Sequence, residues 1–164
     1  MMSRTRRILV AAIAAGLLTT AAWGAELATR KALTLEVAKG VAAVAEQHAI
    51  ANKWNVVITV LDEGGHLLYL QRMDGTQVGS VEVAIQKATS AAYFKRPTKA
   101  FSDAVGGGRV AILGLPGAMA IEGGLPIEWE GQIIGAIGVS GVTSEQDGMI
   151  AKAGVDALAK IVGR

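Results

Sequence analysis

Residues 55–62, NVVITVLD, limit the fold more than any other stretch of the chain. They are rich in β-branched residues, which favour a pleated strand, and apolar on both faces, so each face needs a covering layer. Glu63-Gly64-Gly65 then turns the chain into HLLYLQRM (66–73), and Asp74-Gly75 ends it. The spacing predicts a β-hairpin whose first strand is covered on each side.

The neighbouring segments supply those covers. From Thr34, a predicted N-cap followed by Glu36, apolar residues recur at Val37, Val41, Val44 and Ala45, one face of a helix. Ser80 is the predicted cap of a second helix with Val81, Ile85, Ala88 and Ala92 on one face, stopped by Lys95-Arg96-Pro97. Thr98 is expected to cap a short turn through Phe101. Residues 104–117 carry Gly106, Gly107, Gly108, Gly114, Pro116 and Gly117 and read as a loop. Short strands are predicted near 118–122, 125–129 and 132–140, with Glu130-Gly131 as a turn. Thr143 and Gln146 form a capping-box pattern before a last helix bearing Ile150, Gly154, Leu158 and Ile161. Strands grouped in runs point to an α+β domain, an antiparallel sheet packed on helices in a profilin-like or PAS-like manner.

Residues 1–24 stand apart. Arg4, Arg6 and Arg7 precede the apolar run ILVAAIAAGLL, and Ala22 and Gly24 supply small residues. This is the pattern of a signal peptide cut after Gly24, leaving residues 25–164 as one domain. The run is short of the roughly 20 residues a membrane span needs, so an exported protein, periplasmic or secreted and without stable membrane insertion, is expected. TRRILV also resembles a weak twin-arginine signal. The 16 basic and 14 acidic residues of the whole chain become 13 and 14 once this segment is removed, a net charge of −1. With no basic cluster and few aromatics, nucleic-acid binding is not expected. The chain has no cysteine, which excludes disulfides, thiol catalysis, iron–sulfur clusters and covalent haem attachment.

Few residues are left to carry chemistry. His66 ends the hairpin turn, in register with Leu68, Leu70 and Arg72. Its imidazole can ligate a haem iron or act as a base, or it is simply a solvated turn residue. His48 continues the apolar stripe of the first helix; it is a second axial-ligand candidate, or a histidine bonded to a carbonyl. Arg72 and Asp74 flank a strand end, where the arginine can hold a carboxylate or the pair can tie down the turn. Met73 reads as packing. Lys87, Tyr93, Arg96 and Thr98 lie along or just after the second helix and can line a pocket, although one lysine among alanines is commonly a solvated face. GGGRVA (106–111) spells G-x-G-x-x-A but neither follows a strand nor opens a long helix, so it is not a dinucleotide site. No Ser/His/Asp set or spaced carboxylate pair indicates an enzyme.

Four segments in order, VLDEGGHLLYLQRMDG, AIQKATSAAYFKRPT, EGGLPIEWEGQIIGAIGVSGVTSEQD and IAKAGVDAL, resemble the GlcG/HbpS family of haem-binding and related proteins, which includes the C-terminal domain of the PduO cobalamin adenosyltransferases. The resemblance covers residues 32–161. It implies a single domain with a five-stranded antiparallel sheet and flanking helices, assembled into homo-oligomers. For exported members it implies haem binding and a role in haem handling or redox sensing beside a membrane sensor protein; other members sit in glycolate and diol utilisation operons. Asp62, Gly64, Gly65, Arg72, Met73, Asp74 and Gly75 match the first motif, Lys87, Ala88, Arg96, Pro97 and Thr98 the second, and Gly123, Gly124, Pro126, Gly131, Gly135, Gly138, Val139, Ser140 and Gly141 the third. Haem ligation does not carry over cleanly, because the family uses different axial ligands and its turn motif does not demand a histidine where His66 stands. Gly148 also stands where an acidic residue is usual.

The expectation is therefore an exported, oligomeric binding protein for haem or a related tetrapyrrole. His66 is the expected axial ligand, Arg72, Lys87 and Arg96 are the cations for the propionates, and Tyr93 and Thr98 line the site. The alternative is an enzyme or accessory protein acting on a hydroxy or keto acid, with Arg72 or Arg96 holding the carboxylate.

Overall fold

The computed structural model describes residues 24–163, so the expected leader lies outside the described residues except for Gly24. In chain order the elements are α1 (Leu35–Ala51), β1 (Val57–Asp62), β2 (Leu67–Arg72), α2 (Ser80–Phe94), α3 (Lys99–Gly106), a 3-10 turn (Val110–Gly114), β3 (Gly124–Trp129), β4 (Gln132–Ser140), α4 (Ser144–Asp156) and α5 (Leu158–Ile161). The strands form one sheet in the order β2-β1-β4-β3, antiparallel throughout.

The predicted double cover of β1 is present. Val57 through Leu61 are all buried. Ile58 and Val60 join Ile137 and Val139 of β4 in a core closed by Val41 and Ala45 of α1, Ile150 and Ala151 of α4 and Leu158 of α5. The opposite face is covered by α2, whose Ala84, Ala88 and Ala91 are fully buried. Gly124 of β3 and Gly138 of β4 are directly paired, and both lie beneath this helix. A Cβ on Gly138 would sit 2.1 Å from the Ala84 carbonyl oxygen, and one on Gly124 2.2 Å from that of Lys87. Two bare backbones thus let an alanine-rich helix rest almost on the sheet itself, where a larger side chain on either element would hold it off.

The sheet has four strands among the described residues, not the expected five. Residues 118–122 form no ladder, because the loop that holds them is bound to α2 through the Met119 N–H and the Ser90 hydroxyl (2.9 Å). Gly123, at φ +125°, then bends the chain so that pairing begins only at its own carbonyl, which accepts from Val139 N. The segment read as a loop over 104–117 is partly helical, since α3 runs on to Gly106 and is followed by the 3-10 turn. The last helix breaks at Ala157 into α4 and α5.

Two of the four predicted helix caps hold; Thr98 stands at the start of α3 but its side chain makes no cap bond. Thr34 accepts from Val37 N, and Thr143 and Gln146 form the reciprocal capping box. Ser80 is not a cap: it lies inside α2, buried, and its hydroxyl meets that of Ser140 at 3.2 Å. Glu130 and Gly131 both take positive φ in the β3–β4 turn, and Met73 packs against the core. No helix among the described residues is long and apolar enough to cross a membrane.

Candidate functional site

The hairpin turn builds the most open candidate. Asp62 ends β1, and its Oδ1 accepts from the N–H groups of Gly64 (2.9 Å) and His66 (2.8 Å), an Asx-type turn that fixes the loop. Its Oδ2 lies 3.2 Å from His66 Nδ1. Burial, the largest influence on this carboxyl, pushes its pKa up, but the two N–H donors and the His66 ring outweigh it and hold Asp62 below the ordinary carboxylate value. The His66 side chain is 82% exposed. A carboxylate on Nδ1 selects the tautomer with that nitrogen protonated and leaves Nε2 as an outward-facing lone pair, the arrangement in which histidines hold metals. The donor chemistry at His66 therefore fits an iron ligand.

Beside this turn lies α2. A Cβ on Gly65, at φ +83°, would fall 2.5 Å from Tyr93 Cε1, so the absent side chain is the seat of the tyrosine ring. Tyr93 is exposed above it. Towards the start of the helix, Glu82, Ile85, Gln86 and Thr89 line a groove of about 380 Å³ whose other wall is Gly117 to Met119. These positions recur at three- and four-residue steps and so share one face. The loop before that wall exposes Val110, Leu113 and Leu115.

The other expected residues are dispersed. Arg72 lies at the far end of β2 from His66, six residues or roughly 20 Å away at about 3.3 Å per residue. It lines a polar pocket with Glu46, Asn55, Gln71, Met73 and Asp74. No ion pair joins Arg72 to Asp74 among the described residues, and the turn is closed instead by Thr76 N and the Met73 carbonyl (3.1 Å). His48 lies on α1, half-buried, with its ring 6.2 Å from that of Trp54. Arg96 donates through Nε to the Phe94 carbonyl and stacks 5.6 Å over the Phe101 ring. Thr98 is buried; its hydroxyl accepts from Gly124 N at 3.0 Å, pinning the start of α3 to β3.

Lys87 is fully buried rather than a solvated residue. Its ammonium donates to Asp147 Oδ2 (2.7 Å) on α4 and to the Val139 carbonyl (2.9 Å) on β4. A Cβ on Gly123 would meet that nitrogen at 2.7 Å, so a glycine is needed where the lysine passes. Burial raises the Asp147 carboxyl above its ordinary value, and the Lys87 ammonium opposes that shift without cancelling it. The arrangement joins the helix on one face of the sheet to the helix on the other.

Gly148 has a structural counterpart too. A Cβ there would be 2.6 Å from Glu122 Oε1, so an acid from the neighbouring loop occupies the space beside α4. Lys99 lies 3.8 Å from this carboxylate.

Sequence reasoning missed one cluster. The adjacent Arg30 and Lys31 and the distant Lys95 converge with Glu63 and Gln132 around a cavity of about 370 Å³. No local motif marks it, because Lys95 joins Arg30 and Lys31 from a segment more than sixty residues away.

Comparison with known proteins places this geometry. A family model described as haem degrading protein HbpS-like matches residues 33–156. Protein GlcG of Escherichia coli is 41% identical over 112 residues, 68% of this chain and 84% of that protein. A double mutant of Streptomyces reticuli HbpS superposes with a TM-score of 0.75 at 28% identity, covering 94% of this chain and 99% of the other. The PduOC:heme complex superposes with a TM-score of 0.70 at 27% identity, covering 77% and 95%.

Proposed function

The chain belongs to the HbpS-like family of haem-degrading proteins, and from that premise we propose that it binds haem, with His66 as axial ligand. The observation that carries the reading is the His66 ring itself: exposed, oriented by Asp62 through Nδ1, and open at Nε2. The structural likeness to a protein crystallised with haem supports it. Tyr93 supplies a flat face beside the ligand, and the α2 groove and the apolar residues of the 110–115 loop offer contact for a macrocycle edge. When bound, haem supplies the iron chemistry; the protein's part is to present one nitrogen, shield one face and set the charge nearby. Arg72, His48 and the buried Lys87 are too far from His66 or too enclosed to join this site in the same conformation.

The deciding experiment is a hemin titration of the purified protein. A shifted Soret band is expected, with loss or displacement of that band in His66→Ala. No band in the wild type removes the reading, and a band unchanged in His66→Ala removes the ligand assignment.

The same proposal includes export and assembly. Residues 1–24 have the composition of a cleaved leader, to be checked by the mass of the protein recovered from the periplasm or medium. Val110, Leu113 and Leu115, exposed on one short loop, suit burial between copies of the chain, to be checked by light scattering. A redox-sensing role beside a membrane sensor protein would be the setting for such an assembly.

A further inference from the structure

We infer that the cavity between the hairpin turn, the end of α2 and the β3–β4 turn is a binding site for a carboxylate-bearing ligand, held by Arg30 and Lys95. The cavity, about 370 Å³, is large enough for a small organic acid or one edge of a larger molecule. Its three cations come from two segments. Arg30 and Lys31 lie on the segment before α1, and Lys95 is the residue that terminates α2. Lys31 is already held: its ammonium pairs with Glu130 and its N–H donates to Gln132 Oε1 at 3.2 Å. These two contacts pin the segment across the β3–β4 turn and leave the Gln132 amide NH2 as a donor.

Arg30 and Lys95 are different. Neither has an acidic partner among the described residues, although both line the same cavity. Lys95 holds the left-handed conformation, φ +52° and ψ +41°, in which helices commonly end, and so turns the chain at the edge of the cavity. Two unpaired cations facing one hollow repel each other, and an anion between them removes that cost. Arg30 brings a planar fork that matches a carboxylate in two parallel hydrogen bonds, and Lys95 a mobile point charge. Glu63, the one acid in the lining, sets the polarity of the site: a carboxylate must sit away from it, towards Arg30 and Lys95.

The carboxylate can belong to a free small acid or to the propionate edge of a haem held at His66, since Glu63 lies three residues before that histidine. The two sources are separated by using succinate and hemin as probes on the full-length protein at low salt, with wild type compared with Arg30→Gln/Lys95→Asn. Both positions are exposed, and asparagine tolerates the left-handed conformation, so the fold is expected to survive, with an unchanged circular dichroism spectrum as the control. If the site takes free acids, succinate binds the wild type by calorimetry and the variant loses at least about tenfold in affinity, with hemin binding unchanged. If it takes propionates, hemin affinity falls by a similar factor and the Soret maximum stays in place, because the axial ligand is intact. A variant that binds both probes as the wild type does overturns the inference. Failure of His66→Ala to alter the Soret band would remove the proposed iron ligand and leave this site standing.

Discussion

The ammonium of Lys87 lies 2.7 Å from Asp147 Oδ2, with both side chains almost wholly removed from solvent, at 1% and 3% exposure. A charge that deep is tolerated only with its partner in place, because the interior returns little of the hydration it has lost. Lys87→Met should therefore destabilise the protein by about 3–5 kcal/mol, and Asp147→Leu by a similar amount, each leaving one uncompensated charge. The double variant should be much closer to wild type than the sum of the two losses. Urea denaturation of the three variants tests this, and strictly additive losses would contradict the pairing.

This pair also marks where sequence reasoning reached its limit. β1 was legible because NVVITVLD is apolar on both faces, and the Thr143 and Gln146 box because its three-residue spacing is the mechanism itself. Lys87 was not, since an isolated lysine among alanines has the same local pattern whether it meets water or an aspartate sixty residues on. The fifth strand failed for a related reason: AMAIE has strand-like composition, but the hydroxyl of Ser90 and the bend at Gly123 keep it off the ladder. At the candidate site, alternation along the predicted strand grouped His66 with Arg72, although His66 belongs to the turn before β2 and Arg72 to the far end of that strand. Arg30 and Lys95 meet only through tertiary folding, so neither periodicity nor motif could join them.

The contact of α2 with the paired glycines gives a second expectation. Gly138→Ala places a methyl group 2.1 Å from the Ala84 carbonyl oxygen and 2.6 Å from the Ala88 nitrogen, both backbone atoms that cannot rotate away. Forced shifts of this kind in a packed interior cost about 1–3 kcal/mol. The melting temperature should fall, whereas Gly79→Ala, with nothing within 4 Å of the added methyl, should leave it nearly unchanged. Equal effects at the two positions would mean that the helix does not rest on the sheet as described.

Gly65 and Tyr93 should behave as a coupled pair. Gly65→Ala adds a methyl group 2.5 Å from Tyr93 Cε1 at a φ of +83°, so it strains the turn and displaces the ring together. In a Tyr93→Ala background only the backbone strain remains, and the cost of Gly65→Ala should be smaller. A double-mutant cycle in urea measures the difference, expected at about 0.5–3 kcal/mol for residues in contact. A coupling of zero would show that the ring does not pack on the turn.

Asp62 connects the turn to pH. Its pKa is lowered below the ordinary carboxylate value of 3.8, so the ionised form is the one the fold prefers. The contribution is complete above the unfolded-state pKa and is lost as the pH falls through that value and then through the lower folded-state one. Asp62→Asn keeps an oxygen that can accept from Gly64 and His66 but carries no charge. Urea midpoints of wild type and variant should therefore differ by a constant amount near neutral pH, and the difference should shrink as the pH is taken from about 5 towards 3. A difference that persists unchanged to pH 3 would show that the charge on Asp62 contributes nothing. The same variant separates stability from ligand geometry. Losing the carboxylate that fixes the His66 tautomer should weaken hemin binding by about 10–100-fold at pH 7, where the fold is intact. Hemin affinity equal to wild type in Asp62→Asn, alongside loss in His66→Ala, would leave His66 as ligand and remove Asp62 as the residue that positions it.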